Sequence, residues 1–153
     1  MPLRFDQFQQ REFQDCASVG LNEREVVDLM QEFHLFGFWR IDLDTGLFYA
    51  TPDVFRIYGL KTTDGKMSLV EFGSRIHPDD LPMVMESFER TCQHKQSYHN
   101  IYQALGEDDH YKYLRTVGRF RDKPGTSGEI IGITYEFFER LRTVAFSDAP
   151  KPD

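Results

Sequence analysis

The chain has 153 residues, 14% of them aromatic, and carries 18 Lys and Arg against 25 Asp and Glu, for a net charge of −7. That length suits one domain with a sizeable core, and the acidic balance repels phosphate backbones, which excludes nucleic acid and favours basic or amphipathic protein surfaces as partners. No stretch reaches the roughly eighteen apolar residues of a membrane span, no apolar h-region follows Met1, and Cys16 and Cys92 form neither a framework nor a CxxC pair; the expectation is a reduced, cytoplasmic protein without membrane insertion.

Residues 1–21 are glutamine-rich with scattered Phe5, Phe8 and Phe13 and read as an N-terminal extension. Asn22 followed three residues later by Glu25 has capping-box spacing and predicts an amphipathic helix over 22–35. Val26, Leu29, Met30 and Phe33 fall on one face of it. That stripe is expected to be buried, either on the chain's own sheet or against a partner as a dimer contact. Gly37 to Leu43 reads as a strand with Trp39, Ile41 and Leu43 on one face and Phe38, Arg40 and Asp42 on the other. Asp44-Thr45-Gly46 is a hairpin turn, and Leu47 to Ala50 returns as a second strand. Pro52 opens a short helix bearing Val54, Phe55, Ile57 and Tyr58, and Gly59 ends it. Ser68 caps another through about Arg75.

The run Ile76-His77-Pro78-Asp79-Asp80 then separates two helices, because proline disfavours helical geometry at the residue before it. Asp79 and Asp80 stand where carboxylates cap bare N–H groups of the next helix. Leu81, Val84, Met85, Phe88 and Cys92 form its apolar stripe, with Glu86, Arg90 and His94 outside. Three strands follow, over about Ser97–Leu105, Tyr111–Arg121 and Ile130–Phe138. Tyr98, Asn100, Tyr102 and Ala104 alternate on the first, while Tyr113, Arg115, Val117 and Arg119 share one face of the second. A tail over 141–153 reads as flexible.

Two strands, short helices, one long helix and three hairpin-linked strands make an α+β architecture. From Phe36 to Arg140 this order resembles a PAS domain of the subtype common in bacterial signalling proteins. The resemblance is carried by Gly37 to Asp42 with Trp39, by Tyr58-Gly59-Leu60, by His77-Pro78-Asp79-Asp80, and by Arg115, Gly118, Asp122, Gly128 and Gly132. It implies a five-stranded antiparallel sheet with helices on one face enclosing a cavity. Where such domains often end in an Asp-Ile-Thr-like motif, this chain reads Glu136, Phe137 and Phe138.

Helix capping explains His77, Asp79 and Asp80 more simply than metal or acid–base chemistry does, and no histidine has HExxH spacing. The haem ligand of some PAS domains lies on the long helix, but His94 is expected to point away from the stripe, so haem is disfavoured. The Gly-Arg-Asn-Cys-like motif of flavin photochemistry does not occur, nor does a P-loop, a nucleophile elbow or a Rossmann fingerprint; no catalytic residues are expected. On the family fold Phe55, Tyr58, Ile76, Met85 and Phe88 border the cavity, either filling it themselves or leaving room for an unidentified small ligand. The expected function is a stand-alone PAS signalling protein, a sensor or adaptor that binds a pathway partner and forms a homodimer through its sheet and the 22–35 helix. The alternatives are a small-molecule or haem receptor, and the sensor portion of a longer histidine kinase or diguanylate cyclase.

Overall fold

The computed structural model describes residues 2–4 and 12–137; the expected tail and the closing Phe138-Glu139-Arg140 lie outside them. The strands are β1 (Leu3–Arg4), β2 (Phe36–Asp42), β3 (Phe48–Ala50), β4 (Lys66–Met67), β5 (Tyr98–Leu105), β6 (Tyr111–Arg121) and β7 (Glu129–Glu136). The helices are α1 (Glu23–Met30), α2 (Pro52–Ile57), α3 (Leu69–Arg75) and α4 (Leu81–His94), with a single 3-10 turn over Cys16–Val19. Fold class and family architecture are as expected, except that the antiparallel sheet has seven strands in the order β1-β5-β6-β7-β2-β3-β4. The two additional strands, β1 and β4, are edge pairs of two residues each, too short to show a period of two. Met67 of β4 sits opposite Phe48 and is buried in the core, which fixes that short pairing.

The long-range step of the topology is β2 against β7, from Phe36↔Tyr135 to Asp42↔Glu129. It places the first and last strands of the domain side by side, so inward residues of β2, β7, β6 and β5 meet in one layer. Helices α2, α3 and α4 cover that face. Val54, Phe55, Ile57, Tyr58, Phe72 and Val84 project from them onto Trp39, Phe48, Tyr102, Leu114 and Ile130. Each such side chain contributes about 1.5–3 kcal/mol by leaving water. Close approach is secured by glycine. A Cβ on Gly37 would meet Val54 Cγ2 at 2.5 Å, so α2 lies directly on β2. Trp39 lies against Gly132 and Tyr98 against Gly118 in the same way, each ring occupying the space a side chain would need.

The predicted capping box of α1 is present: Asn22 Oδ1 accepts from the Glu25 N–H at 2.8 Å, and the Asn22 N–H donates to Glu25 Oε1 at 3.0 Å. The helix stops at Met30, earlier than the sequence pattern suggested, and turns over residues 31–33 lead to β2. No residue of α1 is buried.

The face of α4 differs from the predicted stripe. Its buried residues are Val84, Ser87 and Thr91, whereas Met85 is 48% exposed and Cys92 is also exposed. The inward face is turned roughly a quarter turn from the purely apolar one. Polar chemistry on the facing strand explains the rotation. Asn100 of β5 is fully buried, and Ser87 Oγ lies 3.2 Å from its Oδ1. A buried amide without a hydrogen-bonding neighbour costs more than an exposed methionine.

Candidate functional site

Two surfaces answer to the sequence expectations: the layer between sheet and helices, and the opposite face of the sheet. Inside, the Trp39 indole N–H donates to Thr134 Oγ1 at 2.9 Å. Thr134 and Thr116 hydroxyls lie 2.8 Å apart, Thr116 and Tyr102 hydroxyls 3.0 Å apart, and the Tyr102 and Tyr58 hydroxyls are also bonded. This chain of side-chain bonds crosses β2, β7, β6 and β5 and ends on the last turn of α2. Burial pushes the Tyr58 and Tyr98 phenols well above their ordinary pKa and raises that of Tyr102. All three stay neutral donors at physiological pH. Within the layer, Tyr98 Oη and Asn100 Nδ2 are buried without a hydrogen-bond partner.

The space left between these side chains is about 10 Å³, bordered by Trp39, Phe48, Phe72, Phe88, Tyr98, Asn100 and Tyr102. That is room for about one water molecule. Of the five cavity candidates, Tyr58 and Phe88 border this space, while Phe55 and Ile76 are core residues away from it. Met85 drops out of the set, because the rotation of α4 turns it to solvent. The polar lining residues Asn100, Thr116 and Thr134 are not among those five candidates. The alternation of Tyr98, Asn100 and Tyr102 on one strand face was the available signal for Asn100.

The Ile76–Asp80 run is a lock between α4 and β5. Ile76 forms an isolated bridge with Ala104, the His77 N–H donates to the Gln103 carbonyl at 2.9 Å, and the Gln103 N–H donates to Asp80 Oδ2 at 2.8 Å. Asp80 is 2% exposed and occupies the cap position, yet its carboxylate makes no cap bond. The expected capping role is thus replaced by a strand contact, because the part-buried N–H of Gln103 needs an acceptor. Pro78 and Asp79 are exposed, the Asp79 N–H donates to His77 Nδ1 at 3.1 Å, and the His77 ring packs 4.6 Å from Tyr111. Asp42 serves the β2–β3 hairpin, where its Oδ1 accepts from the Asp44 and Thr45 N–H groups at 2.9 and 3.1 Å. The Thr45 N–H chiefly holds the Asp42 carboxyl below its ordinary pKa. His94, at the last position of α4, is exposed.

Among the described residues no helix lies over the outer face of the sheet. Register aligns Phe38 with Ile133 and Val117, Arg40 with Ile131 and Arg119, and Asp42 with Glu129 and Arg121. The result is a shallow groove of about 650 Å³ with a spine of Ile131 and Ile133, walls of Phe38 and Val117, and arginines at one end. Glu129 is held there by Arg121 at 2.5 Å, Lys123 at 3.6 Å and Arg40 at 3.9 Å. The Arg121 hydrogen bond is the main reason its carboxyl sits below the ordinary pKa. Arg40 also lies 4.4 Å over the Tyr49 ring. Arg119 is exposed and has no carboxylate partner among the described residues. Farther along the same face Arg115 donates from Nε to His99 Nε2 and from Nη1 to the Tyr135 hydroxyl at 2.9 Å. The α1 stripe is open to solvent, with Leu29 54%, Met30 49% and Phe33 64% exposed and Val26 half-buried.

Among the described residues no cluster of His, Cys, Asp and Glu could hold a metal ion, and no helix is long and apolar enough to cross a membrane. The sequence profile of the PAS-fold family matches residues 47–134. The chain belongs to that family and is a PAS sensor domain. The N-terminal domain of a diguanylate cyclase with a PAS/PAC sensor from Marinobacter aquaeolei is 26% identical, with a TM-score of 0.57 over 66% of this chain and 94% of that one. A sensory box histidine kinase/response regulator from Burkholderia thailandensis is 19% identical, with a TM-score of 0.59 over 75% of this chain and 85% of that one. The PAS-B domain of Drosophila melanogaster Cycle with bound ethylene glycol is 22% identical, with a TM-score of 0.53 over 66% of this chain and 99% of that one. No match was found among curated protein sequences.

Proposed function

We propose that this PAS domain is a non-catalytic sensor and adaptor of a bacterial-type cytoplasmic signalling pathway, working by protein contact as a homodimer. The observation that carries this reading is the contrast between its two faces. The interior retains about 10 Å³, whereas the α1 stripe and the outer groove leave Leu29, Met30, Phe33 and Phe38 in solvent. Large apolar side chains left in solvent on these two surfaces support an interaction site. A signal reaches the partner when the packing between sheet and α1 changes, since a ligand or partner shifts such an equilibrium by its differential affinity for the two arrangements. The test is sedimentation equilibrium on the wild type and on the triple variant Val26→Asp, Leu29→Asp, Phe33→Asp. The expected result is a dimer that becomes a folded monomer; a triple variant that still self-associates sinks the interface.

A second reading is favoured by Tyr98 Oη and Asn100 Nδ2, both buried and unpartnered. These groups suit a small polar ligand admitted when α4 moves outward, in a sensor that stands alone or precedes a kinase or cyclase. Native mass spectrometry separates the readings: a retained mass supports a receptor, and its absence over a range of purification conditions supports the adaptor.

A further inference from the structure

We propose that the last turns of α4, the turn that follows and β1 form a binding pocket for a small oxyanion, the group carried by a carboxylate or a phosphate. The pocket shares no residue with the outer groove and does not rest on the dimer reading.

The space there is about 30 Å³. That is room for about two or three waters, or for the oxygens of one small anion. Two cations border it. Arg90 comes from α4, and Arg4 from β1, where its register opposite Asn100 brings it beside the helix. Both are half-buried, in a chain of net charge −7. Ser87 and Thr91 supply the inner wall, each only 1% exposed. Asn100 accounts for the inward turn of Ser87, but Thr91 stands one turn farther along and borders this pocket. Lys95, in the left-handed region at φ 53°, ends the helix and turns Gln96 and Ser97 to the pocket's mouth.

What these side chains share is that they donate. A guanidinium cannot accept a hydrogen bond, and a hydroxyl rotates its proton toward any acceptor. Among the described residues no carboxylate lines the pocket. Arg4 Nη1 lies 3.3 Å from Glu86, whose side chain is 57% exposed. An ion pair this open to water is given up at little cost. The Thr91 carbonyl, which would repel an anion, is engaged by the Lys95 N–H at 2.9 Å. A ligand that only accepts and carries negative charge matches this set, because guanidiniums hold carboxylate and phosphate oxygens by charge-assisted bonds. The pocket also adjoins the interior. Ser87 Oγ, on its wall, lies 3.2 Å from Asn100 Oδ1, and Tyr98, whose hydroxyl is buried without a partner, borders both spaces. An anion that accepts from the Ser87 hydroxyl competes with Asn100 for it, which ties occupancy to the packing of α4 on β5.

The test follows the amide NMR signals of the isotope-labelled chain as sodium phosphate, and separately sodium acetate, is added at neutral pH and constant ionic strength. Saturable shifts centred on Arg4 and on Ser87 to Tyr98 are expected with at least one of the two anions, and the one that responds distinguishes a phosphate group from a carboxylate. Arg90→Gln is expected to weaken that binding about tenfold or more. Ser97→Ala, a change at an exposed position, is expected to weaken it less, and Glu86→Gln, which removes the competing carboxylate, to tighten it. Shifts that fail to saturate with either anion, or an Arg90→Gln protein that binds like the wild type, overturn the pocket. If circular dichroism shows Arg90→Gln unfolded, the other two variants decide: opposite effects of Ser97→Ala and Glu86→Gln support the site, and affinities equal to the wild type overturn it.

Discussion

His99 and Arg115 illustrate how single residues set the chemistry of the outer sheet. His99 is 7% exposed and accepts a hydrogen bond from Arg115 Nε, so its ring must be neutral at Nε2 in this arrangement. Burial first, and then the Arg115 charge, lower its pKa below the ordinary 6.5. A histidine with a lowered folded-state pKa stabilises the fold above the unfolded value and loses that contribution as pH falls through the folded value. Urea unfolding midpoints are therefore expected to decline as pH drops from about 7 to about 5, and His99→Gln is expected to flatten that decline. A midpoint constant across the range in the wild type contradicts the assignment. The sequence showed Arg115 on the same strand face as Val117 and Arg119, but no local pattern connects it to His99, 16 positions earlier. That pairing exists only through the β5–β6 register. Asn100 makes the same point: its place on the alternating face was legible, whereas its bond to Ser87 required α4 to be placed.

At the scale of elements, the capping box, hairpin turns and strand alternations are legible in the sequence because each is a local rule. Asn22 with Glu25, Trp39 opposite Phe38 in facing, and Asp42 before its turn all stand as the sequence implied. What escaped was long-range. The α4 helix was oriented by its apolar stripe, yet its partner strand presents a buried amide and turns Ser87 and Thr91 inward. The sequence places Asp80 as a cap because the first turn of a helix attracts carboxylates; its acceptor is needed instead by Gln103 of β5. The two-residue strands carry too few residues for any periodicity. The lock between α4 and β5 gives a direct prediction. Asp80→Ala strands a part-buried N–H and is expected to cost about 1 kcal/mol or more, whereas Asp80→Asn keeps a carbonyl acceptor and costs less. Chemical denaturation of the three proteins measures both. Equal stability of Asp80→Ala and wild type contradicts the lock.

At the scale of the whole molecule, one face of the sheet is closed by three helices around an aromatic and polar layer, and the other is left open among the described residues. The closed face retains space for about one water, and its tyrosines are held neutral by burial. On the open face an isoleucine spine ends in guanidiniums, and a short acidic amphipathic helix stands free at the start of the first long strand. Composition pointed toward such a surface, since an acidic chain with many aromatics favours basic or amphipathic protein partners. Which face stays open could not be read from alternation, because both faces of β2 and β7 carry large apolar residues. The proposed function requires that this open surface join two copies of the domain. Sedimentation equilibrium of the wild type beside Leu29→Asp tests it most directly. The expected result is a concentration-dependent dimer for the wild type and a monomer of unchanged circular dichroism for Leu29→Asp; identical self-association of the two proteins, or a wild type that remains monomeric throughout, contradicts the dimer.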